Sequence, residues 1–240
     1  MKNDFYLADR ESAIDLQAYL TRARRLDPEG CVRLRAFGKV LAIYVAPIFA
    51  GSLMDSGPTV LGLRTCELPE AIEMDVTVPI AAVLDRLAKV LLPKVKTQNI
   101  FGFETEDDSE KRPELLIELP ESVRVAWAGI SPPRSGWAAL EGDAGHLAEA
   151  TLTQLAKDGI AEVAANLPAS VGGPIAARVR GEVWGRAIGF ESPVPMGAAF
   201  VAAGLGFLTE GETVQIYIAD GWARLSSSNG HVLAKVARYH

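Results

Sequence analysis

The chain has 240 residues, 49% of them hydrophobic and 22% charged. That is enough apolar content for one large or two small cores and too little charge for wholesale disorder. A net charge of −6 argues against broad binding to nucleic acid or anionic lipid.

The first residues, Met1-Lys2-Asn3-Asp4-Phe5, lack the apolar centre of a signal peptide. No uninterrupted apolar run approaches the ~20 residues that span a bilayer. A cytoplasmic location without membrane contact is therefore expected. Ser12 is placed to cap a first helix whose apolar positions are Ile14, Leu16, Leu20, Ala23 and Leu26, and Asp27-Pro28-Glu29-Gly30 ends it. Residues 31–36 and 39–47 read as strands joined by a two-residue turn at Phe37-Gly38. That turn sets Leu34 against Leu41 and Val32 against Ile43 on one face, with Arg33 and Arg35 on the other. Residues 59–68 read as a third strand and 74–78 as a short fourth. Pro79 suits the first position of a second helix, which runs to Leu92 with Ile80, Val83, Leu84, Leu87 and Leu91 as its apolar stripe. The polar run 104–112 reads as a solvated loop, and residues 114–119 and 122–130 as strands.

Ser131-Pro132-Pro133-Arg134-Ser135-Gly136 cannot continue an element. The expected organisation is thus α+β in two parts: an antiparallel sheet with two helices over 1–130, a linker over 131–145, and a three-helix unit with a three-stranded meander over 146–240. In the second part, apolar spacing predicts a helix over 146–167 that Gly159 kinks or splits, then a second helix from Pro174. The third helix, starting at Met196, carries no charged side chain or amide as far as Leu208. Two tight turns, at Asp220-Gly221 and Asn229-Gly230, predict the meander. They put Ile216, Ile218, Ala223, Leu225, Val232 and Ala234 on one face and Arg224, Ser226, Leu233 and Lys235 on the other.

Three helices followed by a meander is the order of a winged-helix unit, a shape known for holding DNA. Its third helix here cannot neutralise phosphates or pair with base edges. Residues 141–240 hold ten acidic groups against seven Lys or Arg. Burial of this helix against the first part or a second subunit is the expected reading, and nucleic acid is not the expected partner.

Arg22, Arg24, Arg25, Arg33, Arg35 and Lys39 fall within two neighbouring elements. They form either an ordinary solvated face or a shared basic surface that holds an acidic segment, a phosphate or the chain's own acidic run near 104–110. Trp222, beside a tight turn and off the apolar face, is either a partly exposed contact anchor or a side chain packed on a helix. His146 and Glu149 have a spacing used by carboxylate-bridged metal sites, but no second copy faces them. Ser135 and Cys66 sit in no nucleophile motif. Val171-Gly172-Gly173-Pro174 lacks the lysine and glycine spacing of a phosphate loop. Cys31 and Cys66 read as reduced apolar thiols. No catalytic residue, metal or cofactor is expected from these motifs.

In element order the first part resembles secretion-chaperone-like α+β domains, and that resemblance implies polypeptide binding and self-pairing. Trp184-Gly185-Arg186 and the Pro-Pro-Arg-Ser-Gly-Trp stretch at 132–137 resemble uncharacterised proteins of high-GC bacteria, which imply no activity. The expected function is non-catalytic protein binding or regulation, with a protein partner or self-association into a homo-oligomer. The alternatives are a DNA-associated regulator and an enzyme with a small-molecule pocket between the two parts, for instance where Arg134 meets His146 or Glu149.

Overall fold

The computed structural model describes residues 4–50, 57–92, 115–167, 172–189 and 192–236. A short strand β1 (Asp4–Tyr6) leads into helix α1 (Arg10–Leu26). Asp9 caps α1, not Ser12, because its carboxylate accepts the Ser12 amide at 2.7 Å and so satisfies an orphan N–H of the first turn. Leu16, Tyr19, Leu20 and Ala23 are buried, whereas Ile14 is 49% exposed.

The hairpin expected at Phe37-Gly38 does not form. Strand β2 runs without reversal from Cys31 to Ile48 and pairs antiparallel with a similarly long β3 (Val60–Pro79). The two expected strands at 59–68 and 74–78 are therefore one. A bulge replaces the turn. Gly38, at φ +60, pairs with Ile72, whereas Val40 pairs with Glu67. Between these pairs β2 advances two residues and β3 five, and an odd mismatch shifts side-chain parity just as a two-residue reversal does. Hence Val32, Leu34 and Ala36 precede the bulge on the same buried face as Leu41, Ile43 and Val45 beyond it.

Pro79, at φ −58, stands just before α2 (Ile80–Leu91), which buries Ile80, Val83 and Leu87. Strand β4 (Leu116–Glu118) pairs with β1. The expected strand at 122–130 is instead a short hydrogen-bonded contact followed by a 3-10 turn at Ala126–Gly129. Val123 donates to the Thr77 carbonyl at 2.8 Å, and the Ser122 hydroxyl accepts the Thr77 amide at 3.0 Å. Within the expected linker, β5 (Ala138–Ala139) pairs with β7 (Thr213–Ala219). His146–Ala148 is not helical; it forms β6, also on β7.

Helix α3 (Glu149–Asn166) passes unbroken through Gly159. A Cβ at Gly159 would lie 2.3 Å from the Trp184 ring, so the glycine admits Trp184 of α4 (Gly173–Trp184). Trp184 in turn stacks on Phe200 at 4.6 Å. Phe200 belongs to α5 (Met196–Leu205), the helix without charge. Its burial against the first part is as expected. Leu205 reaches the space where a Gly62 side chain would be, and Gly204 lies against Leu26 of α1. Gly206, at φ +71, ends the helix in the left-handed region.

The meander β7–β8 (Trp222–Ser227)–β9 (Gly230–Lys235) follows. Its first turn is as read, with Asp220 at φ 37 and Gly221 at φ 76 pairing Ile218 with Ala223. The second turn is Ser228-Asn229, not Asn229-Gly230. Ser227 pairs with Gly230 and Leu225 with Val232. Side chains fix this register: the Ser228 amide donates to Glu212 at 2.6 Å and Asn229 Nδ2 to Thr209 at 2.9 Å. A slip of two residues preserves parity, so the apolar face is unchanged.

Strand β9 then pairs with β3, Val60 opposite Ala234 and Leu63 opposite His231. The sheet therefore reads β2-β3-β9-β8-β7-β5, with β6 also on β7. The architecture is α+β with antiparallel sheets. Helices α1, α2, α3 and α5 cover one face of the large sheet and share its main core. On the opposite face, Trp127 and Trp222 form a smaller cluster with Ala46, Leu61 and Leu233. Among the described residues, no helix is long and apolar enough to cross a membrane.

Candidate functional site

The basic residues singled out in the sequence do not share a surface. Before the bulge, odd positions of β2 point away from α1, so the group splits. Arg22, Arg24 and Arg25 stay on the helix side. Arg22 lies beside Gly206, with the Leu205 carbonyl 3.5 Å from its Nη1. Arg24 and Arg25 border a shallow hollow between α1 and α2 that also holds Asp85. Arg33 and Arg35 lie on the other face, where both bind Asp75. The Arg33 fork reaches the two Asp75 oxygens at 2.8 Å each, and Arg35 reaches one at 3.0 Å. Arg33 also donates to the Ala128 carbonyl at 2.5 Å and to Ser131 at 3.0 Å. Burial would raise the Asp75 pKa, but the Arg33 hydrogen bonds and the charges of Arg33, Arg35 and Arg134 outweigh it and hold the carboxyl below its ordinary range.

Trp222 is not an exposed anchor. It is 4% exposed and packs with Trp127 and Leu233, because the 126–129 turn folds over that end of the sheet. His146 is exposed on β6 and Glu149 accepts from Thr153 at 2.7 Å. Neither meets Arg134. Burial, with Asp15 adding, pushes the Cys66 thiol up to about 11, so it rests protonated. Among the described residues, no three His, Cys, Asp or Glu side chains could hold a metal ion together.

A groove of about 740 Å³ lies on the open face of the sheet. Its floor is built from Ala42 and Tyr44 of β2, Leu63 of β3 and Leu233 of β9. These are the alternate positions left facing outward once their neighbours enter the main core. One wall is the bulge, where Phe37 is 66% and Val40 52% exposed. The facing wall is the 132–137 stretch, held in shape by the Trp137 Nε1 hydrogen bond to the Pro133 carbonyl at 3.1 Å. Arg134 of that stretch lies over the Phe37 ring at 5.3 Å, joining the two walls across the groove.

Arg224 closes the groove from β8. Its guanidinium carbon is 4.4 Å from the Tyr217 ring centroid and 4.8 Å from that of Trp137. Its Nε is buried and has no hydrogen-bond partner. Burial draws its pKa down from the ordinary arginine value. Arg35 and Arg134 of this groove were singled out in the sequence, whereas Arg224, Phe37, Tyr44 and Leu63 were not singled out as site residues. One signal was legible: the meander register sets Tyr217 directly opposite Arg224. The approach of Trp137 to that pair was not legible.

Residues 1–100 match a family model described as a domain of unknown function (DUF8010). Residues 132–238 match another, also described as a domain of unknown function (DUF8185). No curated protein matches the sequence. Among solved structures, the chain is similar to a DNA polymerase sliding clamp from Pseudomonas aeruginosa, with 16% identity and a TM-score of 0.46, covering 99% of this chain and 64% of that one. A second clamp from the same organism, solved with a ligand, shows 13% identity and a TM-score of 0.45. A Caulobacter crescentus pol III beta structure shows 13% identity and a TM-score of 0.47, covering 100% of this chain and 67% of that one. The chain spans 65% of the length of the clamp solved with a ligand.

Proposed function

We propose that this protein is a non-catalytic binding module that seats a segment of another polypeptide in the open-face groove. The observation that carries the proposal is the groove itself, an apolar and aromatic trough of about 740 Å³ with Phe37 and Val40 standing out into solvent on its rim. Large apolar side chains grouped on a concave surface mark contact sites. The groove takes its floor from both parts of the chain, so it depends on the β3–β9 pairing. Its carboxylate Asp75 is tied to two arginines, an arrangement that stabilises a wall and does not poise a base.

A photo-crosslinking amino acid placed at Phe37, in the full chain within its native cell, tests this proposal. Polypeptide adducts at position 37, and none from the same group at Leu92 on the far end of α2, are expected. No adduct at position 37, or equal adducts at both positions, overturns it. An adduct with the mass of two copies identifies the partner as the chain itself.

A small-molecule ligand is the second reading. It is favoured by the groove's volume, which lies within the usual range for ligand pockets. The order α3–α4–α5–β7–β8–β9 is that of a winged-helix unit, but α5 lies in the core of this chain, so no DNA-reading role is proposed for it.

A further inference from the structure

Arginine carries five N–H donors and a charge that cannot be shed. The arginines on the open face have different partners. Arg33 and Arg35 share Asp75. Arg224 has two aromatic rings for neighbours and, among the described residues, no carboxylate within ion-pair reach. Rings attract the cation through their faces, but they do not accept the in-plane hydrogen bonds of a guanidinium. Arg224 is therefore a partly desolvated cation whose Nε is unpartnered, and leaving such a group unpaired is costly. Tyr217 and Trp137 also restrict its plane, so less rotamer freedom remains to be lost on binding.

The charges around it point the same way. Asp75 is already neutralised by its two arginines, and Arg134 lies over the Phe37 ring and, among the described residues, makes no ion pair. The lining thus sets Glu73 against two arginines, Arg134 and Arg224, that make no ion pair among the described residues, in a chain whose overall charge is −6. A positive pocket on a negative protein selects for a negative occupant by charge complementarity.

We infer that Arg224 is the anchor of this groove and that its occupant is an acidic polypeptide segment, whose carboxylate forks onto the guanidinium while apolar neighbours lie on Tyr44, Leu63 and Phe37. This inference rests on the groove being a polypeptide site. The bond is charge-assisted and, at its best, bidentate, which suits Asp or Glu between apolar residues.

The test selects a randomised displayed peptide library on the full-length protein and titrates a labelled, selected peptide. The selected sequences are expected to pair an acidic residue with apolar ones. Arg224→Gln should weaken the peptide about tenfold or more, and Arg224→Lys should restore only part of the loss. Replacing the peptide's acid by its amide should give the same loss on the wild-type protein and no further loss on Arg224→Gln. The amide peptide needs no change in the protein, so the test stands even where Arg224→Gln does not fold. Peptides that lose binding with Phe37→Ser, yet bind Arg224→Gln and wild type alike, overturn the anchor and leave the groove reading standing. Peptides indifferent to Phe37→Ser overturn the groove reading itself. Displacement of an acidic peptide by inorganic phosphate, at concentrations where acetate has no effect, overturns the carboxylate assignment.

Discussion

His231 shows how much one side chain on the open face reports. It faces Leu63 across the β3–β9 pairing, and its Nδ1 lies 3.0 Å from the Ser226 hydroxyl. Burial, with the Arg224 charge adding to it, holds its pKa below the ordinary 6.5. A base that is harder to protonate when folded keeps its full contribution above the unfolded value. It loses that contribution as pH falls, because the unfolded chain takes the proton first. Stability to urea should therefore decline as pH falls from about 7 to below 6, and His231→Gln should flatten that decline. Asp75, whose carboxyl sits below its ordinary 3.8, changes stability in the same direction, but only in stronger acid. A wild-type profile that is flat between neutrality and mild acid would remove this account of His231.

At the scale of elements, the bulge in β2 is the informative feature. Gly38 adopts a φ of +60, which costs an L-residue with a side chain about 1–2 kcal/mol. Gly38→Ala should lower unfolding free energy by roughly 1 kcal/mol. Deleting Lys39 would place Val32, Leu34, Ala36, Leu41, Ile43 and Val45 in one unbroken alternation, so the variant should fold with the same residues buried and no bulge in β2. A deletion variant that loses its cooperative melt would show that the bulge does more than set parity.

The bulge also explains what could be read from the sequence. Which residues share a face was legible on both sides of Gly38, and so was the meander's apolar side. Parity survives a turn, a bulge or a slip of two. Whether the chain reverses at Phe37-Gly38 was not legible, since a reversal and a bulge leave the same pattern. The burial of α5 was legible from its lack of charge. The split of the arginine group was not, because it needed the position of α1 relative to the sheet. The groove was hidden because Trp137 and Tyr44 are remote in sequence and meet only through the pairing of β3 with β9.

At the scale of the molecule, the segments matched at 1–100 and 132–238 are joined by backbone pairing from Val60–Leu63 to His231–Ala234 and by α5 lying against α1 and β3. Cutting the chain between them would bare an unpaired edge of β3 and the apolar surface of α5, both of which favour aggregation. The intact chain should unfold in a single transition, coincident by tryptophan fluorescence and circular dichroism. Residues 1–131 expressed separately should be insoluble or lack a cooperative melt. A soluble, cooperatively melting 1–131 fragment would instead establish two autonomous domains.

The β3–β9 seam also fixes an order of events during synthesis. Val60 leaves the ribosome long before Ala234, its partner in the finished sheet. While the intervening chain is translated, the inner edge of β3 stands open, and Gly62 waits for the leucine that will cover it. Contacts so distant in sequence form slowly. The nascent protein therefore carries an unsealed sheet while the chain between β3 and β9 is made, and the step that protects it from its neighbours comes only with β9.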